Sequence, residues 1–242
     1  MKTLHKPPLL NAPKDDLLFN PVGEAEADNV REYLRMPDRY VVHWDHQQAL
    51  VAARKLGIVD AEFTRQFEPH FRSDLQYNLG TQNWHSYLRT AWTMKELDMG
   101  LDPGVIQNKR GIGRLVRECA ARSEWGSMLS HLGRMADVGF DVSADAQAFG
   151  SQFKDMNHPE VTTNWIAEWF SIAENMANMR KIRIMGGSEG LKHRREFLTV
   201  LQNLADNGSW QQYVVFANSL NEIGILKPGA GWVEPMPPLK KF

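Results

Sequence analysis

The chain has 242 residues, of which 43% are hydrophobic and 24% are charged, and its formal net charge is −1. This length and apolar content suffice for one globular domain or two small ones, and the near-neutral charge excludes a uniformly basic, histone-like protein. The single cysteine, Cys119, excludes an internal disulfide and any cysteine-rich metal site.

The first twenty-two residues predict an extended N-terminal arm, because Pro7, Pro8 and Pro13 disfavour a helix there. The apolar patch near Leu9 and Leu10 is too short for a signal peptide. No run of apolar residues reaches the length of about 18 that is needed to span a bilayer. We therefore expect a soluble protein that has no membrane partner, is not secreted by a signal peptide, and is cytoplasmic or held within an assembled particle.

Residues 23–225 show helical periodicity and no alternating strand pattern, which predicts an all-α body of about nine or ten helices. Asp60 and Ser123 are expected to cap helices, and Ser209 with Gln212 forms a capping-box pattern. Asp102 and Pro103 give a further start signal. The predicted helices cover residues 24–35, 40–56, 60–79, 82–97, 114–122, 123–139, 143–156, 158–183, 188–205 and 209–224, and a break near residues 139–143 is a candidate division into two lobes.

The longest predicted helix has an unusually wide apolar face. Its first stripe consists of Trp165, Trp169, Ile172, Met176 and Met179, which are spaced by 4, 3, 4 and 3 residues. A second stripe beside the first consists of Ile166, Phe170, Ala173 and Ala177. A face this wide is typical of a helix buried on more than one side, so we predict that this helix is central to the core.

Residues 226–242 contain four prolines and predict a second extended arm. Trp232 lies in it beside Gly231, with Pro235 three residues further on, and a tryptophan flanked by glycine and proline is typical of a segment that docks into a groove. The arms are expected to bind neighbouring copies and so produce a homo-oligomer. The alternative is that Trp232 folds back on its own body.

The clearest charge asymmetry is a basic cluster around Gly186 and Gly187, whose six cations are Arg180, Lys181, Arg183, Lys192, Arg194 and Arg195. Several of these fall near apolar stripes, where a buried guanidinium needs an anionic partner. One interpretation is a cleft that receives nucleic-acid phosphates. The other is structural, with cations complementing a helix dipole and Arg194 pairing with Glu168.

A second basic patch consists of Lys109, Arg110 and Arg114, with Arg117 one turn further on. Gly111 and Gly113 interrupt the helical pattern here, which predicts either a backbone nest for an anion or an ordinary exposed turn. The spacing of a phosphate-binding P-loop is absent.

His43 and His46 are spaced to place two imidazoles on one helix face, as a metal site requires, with Glu68 or His70 as further ligands. The alternative is a pair of ordinary structural histidines. No di-iron motif and no nucleophile elbow occurs, so no catalytic residue and no cofactor is predicted.

Three functions follow, and a non-enzyme is favoured. The first is a self-assembling structural protein, like a nucleoprotein or coat protein, whose basic residues bind RNA or single-stranded nucleic acid without reading sequence. The second is a helical adaptor in a larger protein complex without nucleic acid. The third is a helical metal-dependent enzyme that uses His43 and His46.

Overall fold

The computed structural model describes residues 24–35, 44–101, 104, 108–156, 165–186 and 189–226. Eleven α-helices, one 3-10 helix and no strand are found in these residues, which confirms the all-α prediction. Most of both predicted arms lies outside the described residues, and so do His43, Trp232, Pro235 and the start signal at residues 102 and 103.

The helices follow one another with short connections. They are α1 (Glu24–Leu34), α2 (Trp44–Lys55), α3 (Ala61–Arg65), α4 (Glu68–Gly80), α5 (Trp84–Glu96), α6 (Lys109–Arg122), α7 (Trp125–Val138), α8 (Ser143–Asp155), α9 (Trp165–Lys181), a 3-10 helix (Glu189–His193), α10 (Arg194–Asp206) and α11 (Trp210–Glu222).

Several predicted helix ends are confirmed and others are wrong. Asp60 caps α3 by accepting a hydrogen bond from the backbone N–H of Phe63, as predicted. The helix then ends at Arg65, because Pro69 lacks a backbone N–H and is accommodated in the first turn of a new helix, α4. Ser123 does not begin a helix; it ends α6 in the left-handed conformation. Ser209 stands at the N-cap of α11, but its side chain makes no capping hydrogen bond.

Two helices organise the core. Helix α11 packs against α1, α2, α9 and α10, while α7 packs against α5, α6, α8 and α9. Helix α9 lies between them, with Trp169, Ile172, Met176 and Met179 buried. The predicted central position of this helix follows from its wide apolar face, because α9 has a neighbour on each side.

Helices α7 and α9 approach closely at Gly133. A Cβ atom at this position would lie 2.3 Å from Oδ1 of Asn178, which is buried on α9.

Helix α7 precedes the predicted lobe boundary near residues 139–143, and it packs against α8 and α9, which follow that boundary. The division into lobes stays a prediction. No helix within the described ranges is long and apolar enough to cross a membrane.

Candidate nucleic-acid interface

Helix α6 has one buried face and one strongly basic face. Gly111, Ile112, Val116 and Cys119 are buried, and the helix packs against α5 and α7. The opposite face is exposed and carries five cations and one acid, namely Lys109, Arg110, Arg114, Arg117, Arg122 and Glu118. The helix is therefore amphipathic, with a polar side that is positively charged.

Three of these arginines form a row. Arg110, Arg114 and Arg117 follow one another at spacings of four and three residues, so they project from one side of the helix over about 10 Å. None of the three makes an ion pair or side-chain hydrogen bond with another described residue. We call these three residues the arginine row.

The cations that flank the arginine row are partly neutralised. Arg122 lies 3.9 Å from Glu124, in a pair exposed to solvent that contributes little. Hydrogen bonds from Ser143 lower the pKa of Asp141, and the charge of Lys109 lowers it further. Lys109 therefore has a carboxylate nearby, whereas the arginine row keeps its charge available for an external anion.

The two glycines of this segment do not break the helix, contrary to the prediction. Gly111 and Gly113 lie inside α6 and do not interrupt it, so the predicted backbone nest and the predicted turn are both wrong. A Cβ atom at Gly111 would lie 2.4 Å from the indole ring of Trp84, so only glycine allows α6 to approach α5 this closely. The amide of Asn108 also donates to the hydroxyl of Tyr87, over 3.2 Å. These contacts fix the start of α6 on the first turn of α5.

The six cations around Gly186 divide into two sets. Arg180 donates to the backbone carbonyl of Glu222 over 2.6 Å, and Lys181, whose side chain is 18% exposed, pairs with Asp137 and Glu222. Arg183, Lys192 and Arg195 are exposed and Arg194 is half-buried. The structure thus holds Arg180 and Lys181 on internal partners, and phosphate binding by this cluster stays a prediction.

Arg183 adopts a left-handed backbone conformation, with φ of 62°. Gln82, Asp98 and Ser123 adopt the same conformation, and each of them also lies just past a helix end. The conformation at Arg183 therefore ends α9, as glycine commonly does elsewhere, and it is not by itself a sign of a binding site.

Lys181 belongs to a partly buried ionic network between α2, α5, α7, α9 and α11. Glu222 joins two lysines, with Oε1 at 2.8 Å from Nζ of Lys55 and Oε2 at 3.2 Å from Nζ of Lys181. Lys55 also pairs with Glu96, and Lys181 lies 3.0 Å from Asp137. Burial opposes the charged forms, but the two lysines outweigh it and lower the pKa of Glu222. Nothing in the sequence pattern indicates this network, because its members come from five different helices.

His46 lies in an apolar environment and its Nε2 has no hydrogen-bond partner among the described residues. It is 3% exposed, its ring packs against Tyr33 and Phe67, and burial lowers its pKa. No group of three or more histidine, cysteine, aspartate or glutamate side chains is placed to hold a metal ion within the described ranges.

A second pair of histidines lies among arginines between α5 and α7. The rings of His85 and His131 are 5.0 Å apart, and Nδ1 of His131 is buried without a hydrogen-bond partner among the described residues. Burial, followed by the charges of Arg134 and His85, lowers the pKa of His131 to about 3. Burial also lowers the pKa of Arg134 to about 10, against the opposing charge of Glu174.

We expect His131 to make the fold sensitive to mild acid. Below pH 6.5 the unfolded chain binds a proton at His131 that the folded chain excludes until about pH 3, so stability falls as the pH falls through this window. From pH 7 to pH 5 this one group should lower the free energy of unfolding by about 2 kcal/mol. Urea unfolding at both pH values measures the loss.

Between pH 7 and pH 5, the free energy of unfolding of the variant His131→Leu should fall by about 2 kcal/mol less than that of the wild type. His70→Leu is the matched control, because His70 is exposed on α4, and it should keep the wild-type acid sensitivity. An unchanged pH dependence in His131→Leu would show that this histidine is not the source.

The described helices enclose a polar cavity and an apolar groove. The cavity, of about 50 Å³, lies beside the ionic network and is lined by side chains that include Arg134, Glu174, Asn178 and Asn218. That volume suits a few water molecules. The groove is wider, about 410 Å³, and lies between α9, α10 and α11, with Ile166, Phe170 and Leu204 in its lining.

No family model matches the chain, and no curated protein or solved structure is similar enough to it to match.

Proposed function

We propose that the protein binds the sugar–phosphate backbone of a nucleic acid without reading its sequence, as a structural protein of the coat or nucleoprotein kind does. The observation that carries the proposal is the arginine row on α6. Three exposed guanidinium groups without partners among the described residues lie in one line on a chain whose net charge is −1. Their charge is concentrated on one helix face, so it is suited to an extended polyanion.

The geometry of the arginine row supports a backbone ligand. A length of about 10 Å corresponds to about three nucleotides of one stacked strand, which advance about 3.4 Å each. Guanidinium groups bind phosphate oxygens through paired hydrogen bonds, and phosphate contacts supply affinity without sequence information. Arg183 and Lys192 are further exposed cations and are candidate ligands for additional phosphates.

Self-assembly through the terminal arms is the second element of the proposal. The apolar groove between α9, α10 and α11 supports it, because a groove of about 410 Å³ with Phe170 and Leu204 in its lining is suited to an aromatic anchor. Light scattering coupled to size-exclusion chromatography tests this element. A mass that stays at 27.7 kDa over a wide concentration range would contradict it.

We expect the combined variant Arg110→Gln, Arg114→Gln and Arg117→Gln to bind a labelled oligonucleotide at least about tenfold more weakly than the wild type at 0.1 M salt. The slope of log affinity against log salt should become shallower by about 2, because each lost phosphate contact removes about 0.7 for a single strand. Fluorescence anisotropy over a salt series measures both quantities.

The matched control neutralises three exposed cations on other helices. It combines Arg65→Gln on α3, Lys95→Gln on α5 and Lys154→Gln on α8. This control changes the net charge by the same amount and should leave most of the affinity and salt dependence in place. Equal losses in the two variants would show that the protein attracts nucleic acid through its overall charge and not through α6.

A further inference from the structure

The most exposed large apolar side chain within the described ranges is Tyr77, at 69%. It lies in the last turn of α4, and Leu79, at 41%, follows in the same turn. Single exposed apolar residues are common on protein surfaces and need no explanation by themselves. The position of Tyr77 relative to α6 is what gives it a role.

Contacts at the first turn of α5 place Tyr77 and the start of the arginine row at the same end of the fold. Only residues 81–83 join α4 to α5, and the two helices pack against each other, so the last turn of α4 lies beside the first turn of α5. At that same first turn, Gly111 lies against the ring of Trp84, and the amide of Asn108 donates a hydrogen bond to Tyr87. The last turn of α4 and the first turn of α6 are therefore both anchored at the beginning of α5.

We propose that the ligand of this surface is single-stranded nucleic acid, with its phosphates on the arginine row and an unpaired base stacked on the ring of Tyr77. The proposal rests on the function proposed above and specifies its substrate class. An exposed aromatic ring next to a basic track is the combination that binds single strands, because every base has a face that can stack on the ring. A duplex keeps its bases paired and stacked internally, so it can use the arginine row but not Tyr77.

The arginine row and Tyr77 have different thermodynamic signatures. Phosphate contacts release counterions, so their contribution weakens steeply as salt rises. Stacking releases none, so loss of Tyr77 should lower affinity by the same factor at every salt concentration. From the usual strength of a stacked base, that factor is about five- to a hundredfold.

The experiment uses the full chain, a 20-nucleotide oligo-dT strand and a 20-base-pair duplex, each labelled with fluorescein, in anisotropy titrations over a salt series. We expect the wild type to prefer the strand. Tyr77→Ala should lose about five- to a hundredfold in strand affinity with an unchanged salt slope and should bind the duplex like the wild type. Tyr77→Phe should restore strand binding, because its ring still stacks.

Leu191→Ala is the matched control, since Leu191 is another exposed apolar residue, at 47%, on the 3-10 helix. It should bind both ligands like the wild type, and circular dichroism checks that each variant is folded. Salt-dependent binding by the wild type with no effect of Tyr77→Ala overturns the stacking role and leaves the proposed function standing. Absence of salt-dependent binding to either ligand overturns both.

Discussion

Replacement of Glu222 by alanine is expected to lower the free energy of unfolding by about 3 kcal/mol. Glu222 is the only carboxylate that contacts both Lys55 and Lys181 among the ion pairs that the structure describes. Each lysine keeps one partner, Glu96 or Asp137, but both side chains are mostly removed from water. The loss therefore exceeds that of a surface ion pair, which contributes about 0–1 kcal/mol.

Urea denaturation at pH 7 measures the change in stability. Glu32→Ala is the matched control, because Glu32 is exposed on α1, and it should stay within about 0.5 kcal/mol of the wild type. A double-mutant cycle with Lys55→Met and Glu222→Met isolates the interaction. If the two changes add without coupling, the contact between Lys55 and Glu222 does not contribute to stability.

Replacement of Gly133 by alanine is expected to destabilise the fold by about 2–3 kcal/mol, because the new methyl group overpacks the contact between α7 and α9. A Cβ atom there would lie 2.3 Å from Oδ1 and 3.0 Å from Cγ of Asn178. Asn178 is 7% exposed, so its side chain has little room to move aside. The clash must then separate the two helices or distort α7.

Gly126→Ala provides a control on the same helix. The added Cβ atom would lie 3.6 Å from the terminal methyl group of Met156, an ordinary contact, so this variant should be neutral or slightly more stable. The double variant Gly133→Ala and Asn178→Ala should lose less stability than the sum of the two single variants. Thermal or urea unfolding measures the stability of the wild type, the two single variants and the double variant. If the two losses add strictly, the clash with Asn178 is not the cause of the destabilisation.

Much of the fold was predictable because apolar spacing reports which helix face is buried. The two stripes of α9 predicted a central helix, and Ile172 and Met176 are indeed buried in the core. Local signals were less dependable where tertiary contacts outweighed them. Ser123 is a good N-cap residue, but it ends α6. The helix expected from Asp60 to Leu79 divides for a local reason, because Pro69 fits only in the first turn of a helix.

The candidate interface was predictable in composition but not in geometry. Lys109, Arg110 and Arg114 were identified from charge, yet Gly111 and Gly113 suggested a turn, because glycine inside a helix costs about 1 kcal/mol. The ring of Trp84 requires a glycine at position 111, and this contact lies 27 residues away in the sequence. Because α6 is continuous, Arg117 lies on the same side of the helix as Arg110 and Arg114.

The ionic network could not be predicted, because helical periodicity gives the face of a residue but not its partner. Lys181 was assigned to the basic cluster around Gly186, whereas its partners Asp137 and Glu222 come from α7 and α11. Lys55 and Glu222 are 167 residues apart in the sequence. Only the packing of α2 against α11 brings them together.

That packing also has a consequence for synthesis on the ribosome. Helices α1 and α2 bury Val30, Leu34, Ala49 and Leu50, and both pack against α11, the last helix of the described chain. At translation rates of about 5–20 residues per second, the 167 residues between Lys55 and Glu222 take roughly 10–30 s to be made. During that interval the apolar faces of α1 and α2 lack their final packing partner, so the N-terminal helices cannot complete their burial until α11 has been made.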